Sequence, residues 1–196
     1  MANFILASQS PRRKQLLEWA EIPFKVVVSE TDESYPADLP IDEVPAYIAQ
    51  HKALAVAAKL EKQAMLQKET CIIAADTVVV LEHTIMGKPL DRMEAISSLT
   101  QLSGKAHEVI TGVCIQWLDQ TISFSATTKV HFHPLSMEQI EFYVDNYQPY
   151  DKAGGYAIQE WIGVVGIQKI DGDFYNVMGL PVSQLIQKIK QLGLLH

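Results

Sequence analysis

The residues predict an α/β protein: a mixed sheet with flanking helices. Three observations carry that prediction. Short, continuously apolar runs, Phe4-Ile5-Leu6-Ala7 and Ile72-Ile73-Ala74-Ala75, read as strands covered on both faces. Segments with helical spacing alternate with them, the pattern of crossover connections. Two long strand patterns around Leu118-Asp119-Gln120 then break the alternation as a hairpin, so strands must run both ways. With 196 residues, 48% hydrophobic and 20% charged, the chain can build the core of one domain spanning 1–196, at most a body with two lobes.

In chain order, Ser10 is a good N-cap and Pro11 suits the first helical position, so a helix is expected over 11–20. A second strand covers 24–28. An acidic loop over 31–40 leads to a long helix over 41–65, whose apolar stripe reads Val44, Tyr47, Ile48, His51, Ala55 and Ala58. The strand pattern 72–80 is interrupted by Asp76-Thr77. A helix over 91–102 stops at Gly104. Strands over 107–117 and 121–133 form the hairpin. Ser136-Met137-Glu138-Gln139 is a capping box opening a helix with Ile140, Tyr143, Val144 and Tyr147 on one face. Residues 163–170 read as a strand, Asp171-Gly172-Asp173 as a turn, and 181–192 as a final helix packing through Val182, Leu185, Ile186 and Ile189.

Composition excludes several classes of function. A net charge of −7 disfavours a broad basic face, so stable nucleic-acid binding is not expected. No apolar run approaches the ~20 residues of a membrane helix, and the start lacks the features of a signal peptide. Cys71 and Cys114 sit in strand-like runs and read as buried thiols in a reducing compartment, so a cytoplasmic location is expected. There is no Walker A loop, G-x-G-x-x-G, G-x-S-x-G or CxxC.

Chemistry is expected first at Ser8-Gln9-Ser10-Pro11-Arg12-Arg13. A strand-to-helix turn aims backbone N–H groups and a helix dipole at one point, and two of the chain's three arginines stand there. A solvated first turn is the plainer alternative. Asp76 is second: an acid within β-forming residues costs several kcal/mol (roughly) unless paired, hydrogen-bonded or metal-bound. Lys52, beside the long helix's stripe, and Lys88, on the Gly87-Lys88-Pro89 turn, could face a polyanion, although each alone reads as solvated. Glu33 could supply a metal ligand. His131 and His133 share a strand face by alternation, either as a metal pair or as an exposed, hydrogen-bonded edge; His51 and His107 read as structural.

Six short motifs in order resemble the Maf family of nucleoside triphosphate pyrophosphatases: Leu6-Ala7-Ser8-Gln9-Ser10-Pro11-Arg12-Arg13; Ala75-Asp76-Thr77; Gly87-Lys88-Pro89; Ser103-Gly104 with His107 and Thr111-Gly112-Val113; Asp151-Lys152-Ala153-Gly154 with Ile158-Gln159; and Gly179-Leu180-Pro181. The resemblance runs from residue 5 to about 182. It implies two lobes around a cleft, similar to the inosine triphosphate pyrophosphatase fold. It also implies a nucleoside triphosphate substrate, cleaved to monophosphate and pyrophosphate with a divalent cation (Mg, Mn or Co), which would keep non-standard nucleotides out of nucleic acids. Asp76 corresponds to the proton acceptor. Arg12, Thr77 and Gln159 match the positions linked to base choice, in the spelling of the dTTP/UTP branch; the 7-methyl-GTP branch differs at all three.

Under that reading Asp76 accepts the water proton or holds the metal, with Glu33 as second carboxylate. Arg13, Lys52 and Lys88, with N–H groups near Ser8 and Ser10, compensate phosphate charge. Gln159 pairs with the O4 and N3 edge of the base. A homodimer is compatible with the sequence. The alternatives are a phosphoryl transferase using the same turn, and a nucleotide-binding regulator of cell division (septum arrest) without turnover.

Overall fold

A computed structural model describes residues 2–195. In chain order the strands are β1 (Asn3–Leu6), β2 (Phe24–Val26), β3 (Thr70–Leu81), β4 (Thr84–Met86), β5 (Ala106–Trp117), β6 (Gln120–Phe132) and β7 (Ile167–Asp171). They form one seven-stranded sheet in the order β2-β1-β3-β5-β6-β7, with β4 paired to β3 off that path. β1 lies parallel to β2 and to β3, whereas β4 on β3 and β7 on β6 are antiparallel, so the sheet is mixed as expected. β5 and β6 are neighbours joined through Leu118 and Asp119, a connection too short for anything but a hairpin. By contacts the chain divides into two compact units and passes between them at 76/77, 110/111, 126/127 and 178/179.

Among the described residues the first unit comprises 2–76, 111–126 and 179–195. Its first helix, α1 (Pro11–Trp19), starts where the sequence places it: Ser10 Oγ accepts from the Arg13 N–H, and Pro11 opens the first turn. The second, α2 (Val44–Lys62), is shorter at both ends than expected and is turned relative to the stripe read from sequence. His51 and Ala58 are exposed, and the buried face is Val44, Pro45, Ile48, Ala49, Ala53, Val56, Ala57 and Leu60. The cause is size. Ala49, Ala53 and Ala57 recur every four residues and let the helix settle closely on Ile5, Ala7, Ile72 and Ala74 of the sheet. Gly112 on β5 serves the same approach, because a Cβ there would strike the backbone of Pro45 and Ala46. Cys71 and Cys114 are buried free thiols; burial pushes Cys71 up to about 12 and also raises Cys114.

The second unit comprises Thr77–Ile110 and Thr127–Met178. It holds α3 (Arg92–Leu102), capped by Asp91, and α4 (Met137–Tyr147), whose capping box at Ser136 and Gln139 is formed as expected. A 3-10 turn (Ala153–Gly155) precedes α5 (Trp161–Gly166), β7 and α6 (Phe174–Met178). One expectation is corrected here. Residues 163–166 belong to a helix rather than a strand, since Gly163 folds back against the Ile158 carbonyl, which a Cβ would strike. A short apolar run cannot distinguish the two by periodicity. The sequence also gave no sign of α6, whose five residues are too few to show a period. The last helix, α7 (Val182–Gln191), returns to the first unit and buries Val182, Leu185 and Ile189, with Ile186 half-buried. Among the described residues no helix is long and apolar enough to cross a membrane.

Candidate active site

The strand order β2-β1-β3 means that the chain leaves β1 toward one side through α1 and returns on the other through α2. In parallel sheets the crevice beyond the carboxyl ends at such a reversal is where ligands bind. β1 ends beside Ile73, where the Ala7 N–H donates to the Ile73 carbonyl at 2.8 Å. β3 continues without a break through Asp76 and Thr77, so the polar pair interrupts the apolar pattern and not the strand. Ile72 and Ala74 face α2, and alternation places Asp76 next in that row. An acid is thus delivered from a dry strand to the open end of the crevice.

Lys52 meets it there. Its Nζ donates to Asp76 Oδ1 at 2.7 Å and lies 2.7 Å from Glu33 Oε1. The side chains of Lys52 and Asp76 are 17% and 15% exposed, against 54% for Glu33, so strand and helix form the fixed pair and the loop acid closes over it. Arg13 is held from the other direction. Its Nε donates to the Gly179 carbonyl at 2.8 Å and its Nη1 to Ser8 Oγ at 3.2 Å. Desolvation draws the Arg13 guanidinium below its ordinary value; the Asp76 carboxylate opposes this, neighbouring Arg12 reinforces it, and Glu33 opposes it.

One element of the expected anion turn is corrected. The Ser10 N–H is taken by Ser8 Oγ at 3.2 Å, and the Arg13 N–H by Ser10 Oγ at 3.4 Å. Those two amides are therefore spent on shaping the turn, and Pro11 has none to offer. The turn also carries the hydroxyl hydrogens of Ser8 and Ser10 and the Arg12 and Arg13 guanidinium groups, that of Arg13 already bonded to the Gly179 carbonyl and Ser8 Oγ. Ser8, Ser10, Arg13, Lys52, Asp76 and Glu33 are thus brought together in the first unit.

Of the remaining sequence candidates, Arg12 is half-buried on α1 in the first unit, and the other three stand in the second. Thr77 is half-buried on β3, while Lys88 and Gln159 are exposed. Lys88 borders an open cavity of about 250 Å³ shared with Glu94, Ser97, Ser98 and Gln101. Its turn is held by the Gly154 N–H, which donates to the Gly87 carbonyl at 3.0 Å.

The family model described as "Maf-like protein" matches residues 3–192. The chain belongs to the Maf family. A Porphyromonas gingivalis protein named dTTP/UTP pyrophosphatase is 49% identical over 192 residues, covering 97% of this chain and 94% of the relative. A Parabacteroides distasonis protein of the same name is 49% identical over 189 residues, covering 96% and 95%. The solved structure of the Staphylococcus aureus Ham1 protein is similar at a TM-score of 0.46 and 14% identity, over 66% of this chain and 71% of that one.

In this Maf-family chain the histidines divide as the plainer readings expected. β6 ends at Phe132 and its register slips between His131 and Phe132, so His131 and His133 do not share a strand face. His131 Nε2 lies 3.1 Å from Asp171 Oδ2, a hydrogen-bonded edge. His107 is buried, with Nε2 2.7 Å from the Tyr156 hydroxyl. Sequence reading missed Lys152, which is buried with its Nζ 2.7 Å from Asp151 Oδ1 and 3.5 Å from Glu160 Oε1. An adjacent acid makes such a lysine look solvated; only its place in the Asp151-Lys152-Ala153-Gly154 motif marked it.

The donor set also bears on a cation. Among the described residues no cluster of three or more His, Cys, Asp or Glu could hold a metal. Asp76 and Glu33 nonetheless meet on a single ammonium, and a pair of hard carboxylates completed by substrate phosphates is what magnesium-type ions accept. The residues fit such an ion.

Proposed function

We propose that this Maf-family chain hydrolyses dTTP and UTP to the monophosphate and pyrophosphate. The observation that carries the reading is the Lys52 ammonium held between Asp76 and Glu33 beside Arg13, at the end of the β1–β3 crevice. The names of the relatives support the substrate class.

Water attacks the α-phosphorus, the bond from that phosphorus to the α–β bridging oxygen breaks, and pyrophosphate leaves with the electron pair. Asp76 receives the water proton; its Oδ1 is anchored by Lys52, which leaves Oδ2 to do so. Arg13, Lys52 and Lys88 counter the phosphate charge, with Ser8 and Ser10 donating hydroxyl hydrogens. Because Arg13 and Lys52 are already balanced by Asp76 and Glu33, the chain's own residues under-compensate a triphosphate. Asp76 and Glu33 would hold a divalent cation, which would supply the missing positive charge when bound. Arg12, Thr77 and Gln159 select the base, Gln159 through an amide that can both donate and accept.

The test is a product assay across ordinary and modified nucleoside triphosphates with magnesium, manganese or cobalt. Release of pyrophosphate with preference for UTP and dTTP over CTP and purines supports the proposal. Orthophosphate as product, or an optimum on 7-methyl-GTP, overturns it.

A further inference from the structure

The segment 152–160, which carries Gln159, is held at several points within the second unit. Lys152 Nζ lies 3.5 Å from Glu160 Oε1, joining the two ends of the segment. Glu160 Oε2 accepts from the Tyr143 hydroxyl, and that same oxygen of Tyr143 accepts from the Ala157 N–H at 3.1 Å. Tyr143 is fully buried on α4. Between them, the Gly154 N–H reaches the Gly87 carbonyl of the Lys88 turn at 3.0 Å, and the Tyr156 hydroxyl meets His107 at 2.7 Å. Gly154 and Gly155 both have positive φ, +68° and +74°, and a Cβ on Gly154 would press on Val79, so this path is open only to glycine at the first of them.

Gln159 is exposed, yet the positions flanking it at 157 and 160 are bonded to one tyrosine oxygen. Both oxygens of Glu160 are committed, one to Lys152 and one to Tyr143. A charge-assisted chain of this kind lends rigidity to what it holds, and a recognition group held in its bound geometry loses less freedom on binding.

We propose that Lys152, Glu160 and Tyr143 are positioning residues for base selection, fixing the backbone of Gln159 and tying it to the Lys88 turn. This rests on the reading of Gln159 as the base-contacting position. Base discrimination then depends on three side chains that need not touch the base.

The experiment compares kcat and KM for UTP and CTP in the wild type, Gln159→Ala, Glu160→Gln, Tyr143→Phe and the double variants with Gln159→Ala. Glu160→Gln and Tyr143→Phe should raise the KM for UTP about tenfold, leave kcat within about twofold, and reduce the preference for UTP over CTP. In the Gln159→Ala background the same changes should cost no further preference, because the effect is routed through Gln159. Melting curves check folding. If Glu160→Gln does not fold, Tyr143→Phe, which removes one oxygen, carries the test. An altered preference in Gln159→Ala beside an unaltered one in both network variants overturns this inference and leaves the proposed function standing. Full additivity, or a fall in kcat with preference intact, also overturns it. An unaltered preference in Gln159→Ala removes the base-reading role itself, and this inference with it.

Discussion

Two lysines in this chain each bridge two carboxylates, and they differ in what surrounds the bridge. Lys52 joins Asp76 from a strand and Glu33 from a loop, and Glu33 is 54% exposed. Lys152 joins Asp151 and Glu160 from its own segment; its side chain is 9% exposed, and Tyr143 secures the second oxygen of Glu160. Each bridge has one acid that faces water, for Asp151 is 59% exposed. They part at the other acid: Asp76 has one oxygen bonded to Lys52 and the second in hand, whereas both oxygens of Glu160 are committed, one to Lys152 and one to the buried Tyr143 hydroxyl. In the function proposed above, the same ion-pair chemistry serves turnover at the first and geometry at the second, and the difference lies in how many carboxylate oxygens the fold has already taken.

The comparison breaks most visibly at Asp76. Asp76→Asn keeps the size and hydrogen-bonding reach of the side chain but removes the proton acceptor. It should lower kcat by about 10²–10⁴-fold while nucleotide binding persists. Pyrophosphate release and calorimetric titration of UTP measure the two, and full activity in this variant takes Asp76 out of the mechanism. Next in size are the lysines themselves. Lys52→Met should cost about 10²-fold in kcat/KM with a modest loss of stability, because its partners can hydrate. Lys152→Met strands Glu160 against a buried tyrosine and should cost about 2 kcal/mol of stability, with its kinetic effect confined to KM. Denaturant midpoints set beside steady-state kinetics check the pair, and the reverse ordering would erase the distinction drawn above.

How much of this was readable in the sequence follows the same divide. Asp76 was legible because an acid with apolar β-formers on both sides needs a reason. The start of α1 was legible from Ser10-Pro11 alone. Lys52 read as lying beside the helix stripe and is half-buried, but the stripe itself was misplaced, because the bulkier Tyr47 and His51 drew it away from the alanines that pack. Glu33 meets Lys52 only through the course of an acidic loop, which no periodicity encodes. Tyr143 looked like one more core residue of an amphipathic helix, since nothing local shows that its hydroxyl serves Ala157 and Glu160. Local pattern reports local constraint; contacts across the fold need the fold.

A third expected effect belongs to the closed network alone and appears in acid. His107 sits against the rings of Phe132 and Tyr156, at 5.3 and 5.4 Å, and burial, with His131 adding slightly, pulls it down to about 4. Its Nδ1 has no hydrogen-bond partner among the described residues, so protonation there places charge in an apolar shell. The folded value lies below the ordinary one near about 6.5. The unfolded chain therefore binds the proton first as pH falls, and stability held above about 6.5 is lost on descending toward 4, by about 3 kcal/mol. His107→Gln should flatten that limb of a stability–pH curve. An unchanged slope between pH 6.5 and 4.5 would assign the acid limb to other groups.

The smallest effect should come from a third ion pair that neither encloses a segment nor faces the crevice. Arg92 on α3 grips Asp145 on α4 with two bonds, Nε to Oδ1 at 2.6 Å and Nη2 to Oδ2 at 2.9 Å, and Glu141 lies 3.7 Å away. By distance alone it surpasses both lysine bridges. The hydrogen bond to Arg92 holds the Asp145 carboxyl below its usual range, and Asp145 in turn raises Arg92. Both side chains are about half exposed, however, so water and salt compete for each charge. Arg92→Gln should leave kcat, KM and base preference unchanged and shift the melting temperature slightly at low ionic strength and not at all in high salt. A loss of activity would mean that the α3–α4 contact reaches the site through the Lys88 turn, which the N-terminal end of α3 closely follows, and bridge length would then have to be weighed beside the commitment of the partners' oxygens in deciding what an ion pair is for.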